Sequence, residues 1–158
     1  MTHADLVLFG HVGLAFVLCY AVGFERALRG SPAGDRTYSL VGTAAAAVTA
    51  VTVAQAPQAV GGVITGIGFI GAGLVLRGDH GMIRGMTSAA ALFASTGIGV
   101  VAGTGHLWLA GFVALLTILD LEVRHTPVLN RLDAHRYADR MADDAENMDD
   151  APPDAPGI

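Results

Sequence analysis

A ladder of glycines runs through an apolar stretch, and Gly66, Gly68 and Gly71 match the spacing of a dinucleotide-binding turn. In that turn the glycines follow a strand, open a helix against a pyrophosphate, and precede an acidic residue by about 20 positions. Here apolar residues flank the ladder on both sides, and positions 89–92 read Ala-Ala-Ala-Leu. The context is wrong for a nucleotide site, so the glycines need another explanation.

A second group of residues that could do chemistry is the charged cluster Glu25, Arg26, Arg29, Asp35 and Arg36, followed by Thr37. The i, i+4 spacing of Glu25 and Arg29 allows an ion pair across one helical turn. Two interpretations stay open. Exposed ion pairs contribute only about 0–1 kcal/mol, so the arginines could serve orientation in a membrane alone. Alternatively, Glu25 or Asp35 reaches a water-filled cavity between helices and engages a cation such as Mg²⁺.

The composition is that of an integral membrane protein. Hydrophobic residues make up 53% of the 158 positions, charged residues only 15%, and the mean hydropathy is +0.53. No charged residue occurs between Thr37 and Leu76, and such a block indicates membrane-spanning segments. The net charge of −5 comes from an acidic C-terminal tail, and the remainder has no basic surface for nucleic acid. The expected partner is therefore the lipid bilayer.

Five hydrophobic segments predict an all-α protein with about five transmembrane helices, near residues 6–24, 39–56, 60–76, 88–103 and 107–121. All nine basic residues are arginines, and with five spans they fall on one side of the membrane. The positive-inside rule then predicts an N-terminus outside and a cytoplasmic C-terminus. A four-span alternative would place a basic connector outside.

Three regions are expected along the chain. Residues 1–122 form the transmembrane domain, residues 123–141 form a cytoplasmic juxtamembrane segment, and residues 142–158 form an acidic, proline-rich disordered tail. No nucleophile–base pair, metal-ligand spacing or phosphate loop fits this topology. We therefore expect no enzymatic activity and no cofactor, with Mg²⁺ as a weaker possibility at Glu25 and Asp35.

Wound as a helix, residues 61–76 gather most of their small side chains on one arc. Lipid gives no hydrophobic reward for helix association, so close packing of small residues must supply it. We therefore predict that one set of glycines packs helices: Gly62, Gly66, Gly68, Gly71 and Gly73. The alternative is that the backbone here breaks or lines a polar path.

The two groups of residues together resemble the MgtC/SapB family of bacterial inner-membrane proteins. A family pattern like G-x-E-R-x-x-R-G-x-x-A-G-x-R-T is matched from Gly23 to Thr37, and one like G-I-G-F-L-G-A-G is matched from Gly66 to Gly73. A third stretch, Arg84 to Ala90, matches R-G-L-T-T-A-A. The resemblance implies a polar rim, which we define by the following residues: Glu25, Arg26, Arg29, Asp35, Arg36, Thr37, Arg77, Arg84 and Thr87.

The resemblance also implies location in the bacterial inner membrane and a link to low magnesium or acid stress. Members of the MgtC type carry a C-terminal ACT-like domain, and this chain is expected to correspond to the membrane domain alone. Two functions stay open. One is a small membrane regulator that packs its helices against a partner or itself. The other is a component of a Mg²⁺ or H⁺ transporter or channel.

Overall fold

The computed structural model describes residues 2–77 and 83–123, and this part of the chain is helical apart from one short strand pair. Residues 1–119 form one compact unit, and the second unit, residues 120–158, is described only to Val123. The predicted juxtamembrane segment and acidic tail therefore lie outside the described residues, except for Val123. The helices are α1 His3–Leu28, α2 Asp35–Thr52, α3 Gln58–Leu74, α4 Met86–Gly103 and α5 Leu107–Val123.

Each of the five predicted hydrophobic segments lies on one of these helices. The prediction of a helical protein is confirmed. The glycines do not interrupt α3, which is continuous from Gln58 to Leu74. A feature that the sequence did not predict is the antiparallel pair of β1 (Leu76–Arg77) and β2 (Ile83–Arg84), with Leu76 opposite Arg84. This pair connects α3 to α4.

Local sequence sets the ends of α1. At its start, the Thr2 hydroxyl accepts from the Asp5 amide at 3.3 Å, and the Asp5 carboxylate accepts from the Thr2 amide at 2.7 Å. The hydrogen bond from the Thr2 amide lowers the pKa of Asp5, which precedes the first predicted span. At its end, Gly30 has a left-handed φ of 66°, and the Ser31 amide donates to the Arg26 carbonyl at 3.1 Å. Gly30 thus ends the helix in a Schellman motif.

The core consists of α1, α2 and α4, which approach closely because small residues lie where they meet. A Cβ added to Gly99 would overlap the Gly42 carbonyl oxygen, and one added to Gly103 would lie 2.6 Å from the Ala46 carbonyl oxygen. On the other side of α2, Gly42 faces the Cys19 side chain of α1. From Gly42 to Ala46 in α2, the contacted residue advances from Gly99 to Gly103 in α4, so these two helices are parallel. Helices α1 and α2 are antiparallel, because Cys19 contacts Gly42 whereas the later Gly23 contacts the earlier Tyr38.

The other two helices lie at the edge of this core. α3 packs mainly on α4, where Gly71 meets Ala89, and it makes fewer contacts with α2. Large apolar side chains point outward all around the described helices, including Phe69 on α3 and Trp108 on α5. α1 and α4 are both long and apolar enough to cross a membrane, and α3 is apolar but one residue shorter than α4. An apolar exterior of this kind is typical of helices that lie in lipid.

The contact between α2 and α4 yields a test with a matched control. Gly99→Ala should destabilise the protein by about 1–3 kcal/mol, because the new methyl group overlaps the Gly42 carbonyl and forces the helices apart. Gly97→Ala, in the same helix but with no heavy atom within 4 Å of its added Cβ, should be neutral or slightly stabilising. Unfolding by SDS titration from detergent micelles measures both. Equal effects at the two positions would contradict the close contact.

Candidate functional site

The polar rim begins with a buried carboxylate. Glu25 lies in the last two turns of α1 and is only 7% exposed. It accepts a hydrogen bond from Arg29 Nε, and its other oxygen, Oε2, lies 3.8 Å from a terminal nitrogen of Arg26. The predicted i, i+4 pair between Glu25 and Arg29 is therefore present. Because the carboxylate is largely removed from water, the Coulomb attraction within this pair is screened less than on an exposed surface.

Glycine lets α2 begin directly against α1, two residues before Glu25. A Cβ on Gly23 would lie 2.7 Å from the Asp35 Cα and 2.8 Å from the Tyr38 Cβ. The Tyr38 side chain is fully buried, and its hydroxyl donates to the Ser88 carbonyl of α4 at 2.9 Å. The Arg26 guanidinium also lies close enough to the Tyr38 hydroxyl to interact with it. The ion pair is thereby joined to α2 and α4.

A second glycine brings the start of α4 to the same place. Gly85 has a φ of 90°, and its backbone packs on the Leu74 carbonyl, so α4 begins where α3 ends. Ser88, in the first turn of α4, is buried and its hydroxyl lies 2.8 Å from the Ser31 hydroxyl in the α1–α2 connection. The two connections that carry arginines are therefore at the same end of the helical core.

The structure brings together only part of the predicted rim. Glu25, Arg26 and Arg29 form one cluster with three residues that the sequence argument did not single out for it, Ser31, Tyr38 and Ser88. Asp35 is the first residue of α2, and its carboxylate accepts from the Arg36 amide at 2.9 Å. Arg36 and Thr87 are exposed and Thr37 is half-buried. Arg77 and Arg84 lie on β1 and β2, and only their backbone is described.

Two buried atoms of the cluster have no hydrogen-bond partner among the described residues: Glu25 Oε2 and Arg26 Nε. The described part of the chain contains no group of three or more histidine, cysteine, aspartate or glutamate side chains that could hold a metal ion. Chemically, the cluster is a charge and hydroxyl network that ties three helices together. The buried atoms of the cluster that could still accept or donate a hydrogen bond are this carboxylate oxygen and this guanidinium N–H.

The predicted packing glycines of α3 behave differently from those of the core. Gly62, Gly66, Gly68 and Gly73 have no heavy atom within 4 Å of an added Cβ, and Gly71 has only the Ala89 Cβ at 3.7 Å. Among the described helices, close approaches that an added Cβ would block include Gly23, Gly42, Gly99 and Gly103. Gly99 and Gly103 are four residues apart in the sequence, whereas Gly23 and Gly42 have no second glycine at that spacing. Packing by the α3 glycines stays a prediction.

The fold and the site define a small helical membrane protein, with an apolar exterior and a polar cluster at one end of its core. The family model described as "MgtC family" matches residues 12–128, which is more than two thirds of the chain. The chain therefore belongs to the MgtC family. This range contains all the predicted rim residues and glycines.

Relatives in bacteria agree with this assignment. The chain is 32% identical to a Haemophilus influenzae protein without an assigned function, over 90% of this chain and 68% of that protein. It is 36% identical to YhiD of Escherichia coli K12, whose name describes a candidate magnesium transporter, over 71% of this chain and 58% of YhiD. It is 41% identical to MgtC of Salmonella typhimurium, over 58% of this chain and 41% of MgtC. No solved structure matches the chain.

The buried carboxylate leads to a prediction about stability. Glu25→Gln should destabilise the protein by about 1–3 kcal/mol, less than for a fully buried pair because Arg26 and Arg29 keep some solvent contact. Asp35→Asn removes the same charge at the same end of the core, but it should change stability by only a few tenths of a kcal/mol. SDS titration again measures both variants. A Glu25→Gln variant as stable as Asp35→Asn would show that the ion pair does not hold the helices.

Proposed function

We propose that this protein is a non-catalytic regulator of the bacterial inner membrane that acts by packing α3 against a partner membrane protein or a second copy. Its link is to magnesium limitation or acid stress. The observation that carries the proposal is the open glycine face of α3, defined as Gly62, Gly66, Gly68 and Gly73. The same residue type in α2 and α4 is used for backbone contact, so the α3 face has the character of an unpaired packing surface.

The proposed topology has five spans, with the N-terminus outside and the C-terminus in the cytoplasm. The helix directions are consistent with it, since α2 runs antiparallel to α1 and parallel to α4, as two helices separated by one span should. The contact between Ser31 and Ser88 supports it further, because it keeps the arginine-bearing connections at one end. Arginines gathered at one end are what the positive-inside rule expects of the cytoplasmic side.

The polar cluster has a supporting role in this proposal. Glu25, Arg26 and Arg29 fix α1 against the start of α2 and α4, and α3 packs on α4. The cluster thereby fixes the position of α4, against which α3 packs. The exposed members of the rim, Arg36 and Thr87, are available to a cytoplasmic partner or to lipid headgroups.

Cysteine cross-linking in native membranes tests the regulator proposal. In a Cys19→Ala background, Gly66→Cys should give a cross-linked band, because its position faces outward and open. Leu116→Cys on α5 is the matched control, since its side chain is 48% exposed in the middle of a helix and its helical neighbours are the large residues Phe112 and Leu119, so it should give none. A band of twice the mass indicates self-association, and another mass indicates a partner. Equal yields at both positions, or none at Gly66→Cys, would argue against the proposal.

A second candidate function is a component of a Mg²⁺ or H⁺ transporter or channel. The specific observation in its favour is the buried Oε2 of Glu25, which has no hydrogen-bond partner among the described residues. The name of the E. coli relative points the same way. Against it stands the chemistry of the cluster, because an arginine pair beside a single carboxylate repels a divalent cation. Asp35 is the other proposed ligand, and its carboxylate is engaged by the Arg36 amide.

Flux measurements in proteoliposomes separate the two candidates. For the regulator, we expect the unmodified protein to move neither Mg²⁺ nor H⁺ above the rate of empty vesicles. For the transporter, Glu25→Gln should abolish a measurable flux, because it removes the carboxylate of the cluster. Arg36→Ala, which lies on the exposed surface, should leave that flux within about twofold because screening by salt weakens exposed charges. Flux that is present in the unmodified protein and in Arg36→Ala, but absent in Glu25→Gln, would establish the transporter.

A further inference from the structure

An apolar groove of about 690 Å³ lies between α1 and the first half of α5. Its lining is contributed by one leucine of α1 and by five residues of α5: Leu14, Leu107, Trp108, Gly111, Phe112 and Leu115. None of these side chains is charged. The groove is separate from the polar cluster and from the α3 glycine face, and neither proposed function uses it.

The sequence of α5 explains why the groove stays open. Ala110 and Ala114 are buried, so the side of α5 that faces the rest of the unit carries small side chains. Leu107, Gly111 and Leu115 recur every fourth residue and lie along one stripe of the helix. Gly111 lies at the centre of this stripe, and no heavy atom lies within 4 Å of an added Cβ. The glycine thus leaves a gap that a larger residue would fill.

The length of the groove indicates its occupant. From Leu107 to Leu115, α5 rises by about 12 Å. This length is close to half of the roughly 30 Å hydrocarbon layer. The groove accordingly matches a chain from one leaflet.

The mouth of the groove has the residues of a membrane–water interface. Trp108 is 95% exposed at this end, and His106 is exposed beside it, with its Nδ1 2.9 Å from the Thr104 hydroxyl. Amphipathic rings of this kind prefer the headgroup level. Here we infer that the groove binds one acyl chain of a phospholipid whose headgroup lies at His106 and Trp108. This inference depends on the proposed membrane insertion, which assigns the lipid to the outer leaflet.

The single tryptophan of the chain, Trp108, reports directly on this site. The protein, purified in detergent, is titrated with phospholipids that carry bromine on the acyl chain, and native mass spectrometry counts the lipid retained after detergent washing. The unmodified protein should retain lipid, and its fluorescence should be quenched at lipid-to-detergent ratios too low for random encounter. Gly111→Leu fills the gap and should lose both the retained lipid and the early quenching. Gly61→Leu, an exposed position on α3 with equally open space, should keep both.

Three other outcomes would overturn the inference. Quenching that follows random encounter in the unmodified protein means that Trp108 faces lipid without a binding groove. Lipid retained equally by Gly111→Leu means that the site is elsewhere. Absence of quenching in reconstituted bilayers made wholly of brominated lipid means that Trp108 is outside the membrane. Only this last result would also contradict the proposed topology, so failure of the lipid inference and failure of the topology are distinguishable.

Discussion

The close approach of α2 and α4 is the constraint on which the rest of the structure depends. Where Gly99 meets the Gly42 carbonyl, and Gly103 the Ala46 carbonyl, two parallel helices contact each other through their backbones. In lipid this packing must come from dispersion and short distances, because burying apolar surface gains little there. The contact fixes the height of α4 relative to α2. Ser88 is thereby set beside Tyr38 and Ser31, and the polar cluster can form.

We interpret the cluster as a structural connection between helices that also contains charged groups. A buried carboxylate with two arginines requires good geometry to offset its desolvation. Here the geometry comes from glycines at both helix starts: Gly23 admits α2, and Gly85 lets α4 begin against the end of α3. The outward surfaces, namely the α3 glycine face and the α1–α5 groove, have instead no partner among the described residues. The proposed helix packing and the inferred lipid site lie on those surfaces.

The sequence predicted the helices and part of the cluster well, for physical reasons that are local. Uninterrupted apolar segments specify helices in a membrane, and the i, i+4 spacing of Glu25 and Arg29 specifies their pairing. It did not predict Tyr38 or Ser88 as cluster members, because their role depends on contacts between residues 50 or 57 positions apart. The glycines of α3 are conspicuous in the sequence because they are closely spaced. The glycines that make close contacts, such as Gly23 and Gly42, are widely spaced. Although Gly23 opens the family pattern, its contact with α2 is recognised only once the helices are paired.

The long separation of the core contacts has a consequence for how the protein is made. Ser31 and Ser88 are 57 residues apart, and the Gly42–Gly99 contact spans a similar length with α3 between its partners. During synthesis α1 and α2 can pair early, but α2 has no partner on its other side until α4 has followed. The backbone surface of Gly42 is therefore uncovered for the time that α3 and α4 need to emerge. An insertase or chaperone that shields small-residue helix faces would act on this intermediate, well before the mature surfaces exist.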